Sequence, residues 1–160
     1  MLNSILRRIS VNQEITRSEL YNEDNFYQAF IRDIKKCQSE LIIESGFMTS
    51  YRTEQLLPTL QKLKKRGVKV IVNTRDPESH SRSMISDARK AVSLLQHTGI
   101  HVIYTKDQHR KNAVIDRKIL WEGSLNILSQ RDSRELMRRT ESVEMAWGLV
   151  RFIQLDKLGV

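Results

Sequence analysis

The stretch His109-Arg110-Lys111-Asn112-Ala113-Val114-Ile115-Asp116-Arg117-Lys118-Ile119-Leu120-Trp121-Glu122-Gly123-Ser124-Leu125-Asn126 decides how the rest of the chain is read. Two short runs, Ala113 to Ile115 and Ile119 to Trp121, read as alternating strands with Asp116-Arg117-Lys118 as the turn between them, which predicts a β-hairpin. In an extended segment every second side chain shares a face, so His109, Lys111 and Ala113 point one way. An imidazole and an ammonium side by side make a place for an anion.

Gly123-Ser124-Leu125-Asn126 follows the second strand and reads as a tight turn into a helix start. Backbone N–H groups and a Ser or Asn side chain converge on negative charge at such turns. A phosphate there would meet Lys111, Asn126 and His109 together. Histidine suits the place because it titrates near neutrality and its neutral ring is a nucleophile toward phosphorus.

These positions form His-x-Lys-(x4)-Asp-(x6)-Gly-Ser-x-Asn, which resembles the HKD signature of the phospholipase D superfamily with every fixed position filled. Six specified residues match by accident in a chain of this length about a few times in a million. The resemblance implies a catalytic set of His109, Lys111, Asn126 and a carboxylate beyond the motif that orients the histidine. Glu135, just ahead of Leu136-Met137, is the expected carboxylate, and Glu141 is the alternative. Asp116 is counted with the catalytic set as a residue that holds site architecture. Ser124, Gly123, Arg110 and Arg131 are the expected substrate-binding residues.

Working outward, the 160 residues fit one domain, 1–160. Asp24 or Asn25 opens an amphipathic helix on Phe26, Phe30, Ile34 and Cys37. Leu41-Ile42-Ile43 is a buried strand ending at Ser45-Gly46. Leu56, Leu57, Leu60 and Leu63 share a helix face between about Tyr51 and Lys65, with Pro58 either in a first turn or kinking the helix. Gly67 caps that helix and Val68 to Val72 is the next strand. A third helix on Ile85, Ala88, Val92 and Leu95 ends at Gly99, before a strand from Ile100 to Tyr104. Residues 1 to 22 have too little periodicity to choose helix or strand.

Alternating helices and strands predict an α/β fold with a mixed, largely parallel sheet flanked by helices on both faces, and the resemblance implies the same phospholipase D-like fold. Functional loops gather at strand ends in such sheets. The polar loop from Asn73 to Ser83 lies there too, with His80 read as solvated or a minor binding contact. The terminal segment, Glu141 to Leu158, is apolar on more than one side, so it covers the sheet and meets something else or sits deep in the core.

Twenty-seven Lys and Arg against 19 Asp and Glu leave a formal charge of +8, which favours a polyanionic partner, nucleic acid before an anionic membrane surface. Basic residues cluster at Lys62 to Arg66, Arg110 to Lys118 and Arg131 to Arg139. Aromatics are few, so a stacking platform for single strands is not evident. One cysteine, Cys37, excludes an intramolecular disulfide and offers no zinc-type cluster. No apolar run reaches membrane-spanning length, and the expected location is the cytoplasm.

Superfamily chemistry takes two HKD histidines, one attacking phosphorus and one protonating the leaving oxygen. This chain has one, so the resemblance implies a homodimer with the site on the two-fold axis. The expected function is a metal-independent phosphodiesterase or endonuclease on DNA, and secondarily RNA, acting through a phosphohistidine without a cofactor. The last fifty or so residues are also similar to HKD modules of some DNA helicases and ATPases, which implies such a partner. A catalytically weak DNA-binding module and a phospholipid hydrolase are the alternatives.

Overall fold

The computed structural model describes residues 17–155. Seven strands form one sheet in the order β1-β7-β6-β5-β2-β3-β4, where β1 is Arg17–Asn22, β2 Glu40–Glu44, β3 Lys69–Thr74, β4 His101–Tyr104, β5 Asn112–Ile115, β6 Ile119–Gly123 and β7 Leu136–Glu141. Helices α1 (Phe26–Lys35), α2 (Ser50–Lys65), α3 (Arg82–His97) and α4 (Val143–Ile153) complete it. The sheet is mixed as expected, but its balance is not mainly parallel. β2, β3 and β4 run parallel, whereas the pairings β2–β5, β5–β6, β6–β7 and β7–β1 are antiparallel. The reason is local: the hairpin and the strand after it extend the sheet by reversals, which need no crossover helix.

Side-chain alternation across β2 assigns the two faces. Leu41 and Ile43 join Phe30, Leu60 and Leu95 beneath α1, α2 and α3, while Ile42 faces the other way with Ile71, Val114 and Leu120 to meet Ala146, Val150 and Ile153 of α4. With both faces covered, Ala113, Val114 and Ile115 are all buried. The alternation expected in that run is therefore absent, as it is in any central strand buried on both sides.

Arg17–Asn22, left open by the sequence, is an edge strand paired only with β7. α1 begins after Asn25, whose side chain accepts from the Asn22 N–H instead of capping the helix. α2 starts at Ser50, with Thr49 Oγ1 accepting from Arg52 N, so Pro58 is well inside the helix and not in its first turn. It sits on the exposed face, where the carbonyl it leaves unpaired can meet water. The β5–β6 turn places Asp116 and Arg117 at φ +51°, the left-handed pair of primed hairpin turns, with Lys118 N donating to Ile115 O at 3.0 Å.

Candidate active site

The parallel strands β2, β3 and β4 end at Glu44, Thr74 and Tyr104. Glu44 pairs with Asn112 at the start of β5, and Asn112 pairs with Glu122 near the end of β6. The loop carrying His109 and the turn carrying Ser124 are therefore adjacent at one end of the sheet. An open depression of about 570 Å³ lies there, bordered by His109, Lys111, Gly123 and Ser124, and by Leu149 of α4. His109 is exposed, and among the described residues its ring touches Phe47, edge-on at 6.1 Å between centroids. Lys111 Nζ donates to the His109 carbonyl at 2.6 Å, which holds the ammonium beside the imidazole.

Close approach of β6 and β7 requires glycine at 123. A Cβ there would lie 2.0 Å from the Leu136 carbonyl oxygen and 2.9 Å from Met137 Cα. The strands lock at this point: Ser124 N donates to Leu136 O at 2.9 Å and Leu136 N to Ser124 Oγ at 3.0 Å. Asn126 follows two residues on, half-buried, with its Oδ1 buried and unpartnered among the described residues.

The other expected site residues are distributed differently. Glu135, just ahead of β7, lies diagonally across from Ser124, and its carboxylate accepts from the hydroxyls of Ser124 and, at 2.6 Å, Ser133. Within the subunit it holds Ser124, not the His109 ring. Glu141 is at the far end of β7, opposite Ile119. Asp116 is also at the far end, about 16 Å from Lys111 along β5. Its role is architectural alone: it accepts from the backbone N–H groups of Gln38, Ser39 and Glu40 at 2.9, 2.8 and 3.1 Å, and from the Ser39 hydroxyl at 2.8 Å. Burial works to raise its pKa, but these donors prevail and hold the carboxyl down at about 2. Cys37 donates to the same carboxylate at 3.3 Å; burial first, and that bond second, push its thiol up to about 12.

Arg110 lines the depression with its guanidinium paired to Glu44. Nε donates to Oε2 at 2.8 Å and Nη2 to Oε1 at 2.9 Å, the fork that suits arginine to carboxylate. Arg131 is 74% exposed, away from the depression, with its guanidinium 5.4 Å from the Tyr51 ring centre.

Glu44 is the residue that sequence reasoning missed. It is fully buried, and its oxygens also accept from Asn73 Nδ2 at 2.8 Å, Gln108 Nε2 at 2.9 Å and Asn112 Nδ2 at 2.8 Å. Gln108, Arg110 and Asn112 flank His109 and Lys111, so this carboxylate fixes the backbone that presents them. Gly46 completes the support: a Cβ there would fall 2.5 Å from the Gln108 carbonyl oxygen and 3.3 Å from His109 Cα. The available signal was an acidic residue ending the apolar run Leu41-Ile42-Ile43.

Among the described residues no group of three or more His, Cys, Asp or Glu side chains could hold a metal ion, and no helix is long and apolar enough to cross a membrane.

A mixed α/β sheet with a histidine, a lysine and a Gly-Ser-x-Asn turn at the ends of its parallel strands defines a phospholipase D-like domain. Residues 30–149 match the family described as cardiolipin synthase, PLD-like domain, and the chain belongs to that family. No curated protein matches it. Among solved structures it is similar to Nuc from Salmonella typhimurium, a phospholipase D family member, with a TM-score of 0.72 and 16% identity over 87% of this chain and 92% of that one. NucT from Helicobacter pylori gives 0.67 and 16% over 87% and 94%, and polyphosphate kinase from Porphyromonas gingivalis 0.66 and 14% over 87% and 26%. Fold and family together support a phosphodiester hydrolase.

Proposed function

We propose that the protein is a nuclease that cleaves nucleic acid, DNA before RNA, through a covalent phosphohistidine, with one active site shared between two subunits. The observation that carries this reading is the exposed His109 ring beside Lys111, at the rim of an open depression, in a chain with a single such motif. The ring nitrogen attacks phosphorus, forming an N–P bond as the P–O bond to the leaving nucleotide breaks. The partner subunit's His109, protonated, gives its proton to that oxygen. Now neutral, it takes a proton from water, whose oxygen displaces the first imidazole and restores both rings. Lys111 and Asn126 stabilise the charge on the non-bridging oxygens, and Ser124, held by Glu135, fixes the turn that presents Asn126. No metal or cofactor has a role in these steps.

Two further facts favour the dimer and the substrate. α4 passes beside the depression at Leu149 and exposes Met145 and Phe152 on that side, an apolar strip suited to a second copy next to the site, with Val143 and Trp147 exposed on the other flank. The excess of positive charge suits a phosphate backbone. A cytoplasmic setting with an ATPase or helicase partner belongs to the same reading, supported by the similarity of the last fifty residues to helicase-associated modules.

The test is incubation with plasmid, single-stranded DNA, RNA and phosphatidylcholine or phosphatidylglycerol vesicles, each in chelator. Nucleic-acid cleavage that His109→Ala abolishes while sparing binding is the expected result. Lipid turnover alone, or activity only after magnesium is added, overturns it. A strictly monomeric native mass for active protein rules out the shared site.

A further inference from the structure

Three side chains from two connections, β2–α2 and β3–α3, meet beside His109 and take no part in the phosphate chemistry. Phe47 follows β2, Arg75 follows β3, and His80 follows the 3-10 turn Pro77–Ser79. The His80 ring lies 5.2 Å from that of Phe47 at an interplanar angle of 33°, and the Arg75 guanidinium carbon is 5.5 Å from the Phe47 ring centre. Phe47 in turn is the ring that meets His109. All three are half-buried, neither core nor free surface. His80 Nδ1 is buried without a partner among the described residues. Burial, and then the Arg75 charge, lower the His80 pKa against the opposing pull of Asp76, which favours a neutral, stackable ring.

A packed core does not need a cation and an orphaned imidazole nitrogen on a phenyl ring at the mouth of an anion site. Flat rings with a guanidinium are what an unpaired nucleobase requires: a π-face to stack on and a planar cation beside it. A base within a duplex keeps both faces against its neighbours and cannot use such a surface.

We infer that Phe47, His80 and Arg75 form a stacking subsite for the nucleobase next to the scissile phosphate, so that the enzyme selects single-stranded or locally unpaired nucleic acid. This rests on the nuclease reading above and adds a selectivity that the HKD residues do not supply.

The test uses single-stranded oligonucleotides carrying one abasic residue at successive positions. For the wild-type protein, kcat/KM falls about five- to a hundredfold when the missing base adjoins the cut, the factor that stacking on an aromatic ring provides. Phe47→Leu and His80→Ala bring the ratio of intact to abasic substrate close to one, and Phe47→Trp restores it. An intact-to-abasic ratio near one in the wild type, or a ratio unchanged in Phe47→Leu, overturns the subsite while leaving the nuclease reading in place. Fluorescence of 2-aminopurine at the same position separates the two proposals from the other side. Quenching on binding that Phe47→Leu abolishes and Phe47→Trp retains sustains the subsite in a protein that cuts nothing, and unquenched 2-aminopurine in the bound wild-type complex counts against it.

Discussion

Glu44→Gln is the change with the largest consequence outside the motif. The side chain keeps its shape but loses its charge, and one carboxylate oxygen becomes an NH2. Oε1 accepts from Asn73, Gln108 and Arg110 Nη2, and Oε2 from Arg110 Nε and Asn112. Whichever way the amide is turned, its NH2 faces at least two donors. A buried hydrogen bond to a charged group is worth about 1.5–3 kcal/mol, and removing one partner of a buried ion pair costs about 3–5 kcal/mol. The Arg110 side chain is 40% exposed, so it can recover part of its hydration. The net loss should be about 3 kcal/mol.

Urea unfolding followed by tryptophan fluorescence reads that loss, since Trp121 is fully buried in the core. Cleavage should fall at least tenfold under conditions where the variant remains folded, because Gln108, Arg110 and Asn112 no longer share one anchor around His109 and Lys111. Arg110→Ala should be the costlier change, leaving the carboxylate with neutral donors only, and the double variant should be less unstable than the sum of the two. A Glu44→Gln protein within 1 kcal/mol of wild type and with unchanged turnover would refute this account of the site's support.

Gly123→Ala should lose 2 kcal/mol or more, or fail to fold, because the added carbon meets backbone at Leu136 and Met137 that cannot move without parting β6 from β7; thermal melting measures it. Asp116→Asn should remove about 1–2 kcal/mol at neutral pH, the shift discounted for partial exposure. Since the folded carboxyl titrates at about 2 against an ordinary 3.8, that stability is complete above about pH 5 and is lost as pH falls through 2. Wild type and variant should therefore converge in acid, and a gap independent of pH counts against the carboxylate's role. Cys37 should resist iodoacetamide at pH 8 in the native state and react on unfolding, as a buried thiol raised to about 12 must. Rapid native labelling would show that the Asp116 turn opens.

The motif was legible because its residues are contiguous and the hairpin makes neighbours of its two halves. Glu44 was not, because its five donor atoms come from β3 and from the loop and strand 64 to 68 residues further on, a convergence that only the sheet creates. The same holds for Glu135: antiparallel pairing of β6 with β7 sets it against Ser124. β1 escaped because an edge strand with exposed Arg17, Ser18 and Leu20 needs no strict alternation, and its partner supplies the register. The preponderance of antiparallel pairs was missed because helix–strand alternation stops at β4, and everything after it adds strands by reversal.

Two carboxylates at opposite ends of β5 explain why a motif carries an aspartate so far from any phosphate. Asp116 grips Gln38, Ser39 and Glu40 at one end, and Glu44 grips Asn112 and Arg110 at the other. β5 is thereby pinned against β2 at both termini, with Leu41 opposite Ile115 and Glu44 opposite Asn112. A slip of one residue would turn Val114 toward the three-helix face and Ala113 toward α4, and would reverse the side on which Lys111 emerges. Register along this one strand therefore decides whether the imidazole and the ammonium, which turn together, face the depression. The two ends must hold together for the site to exist.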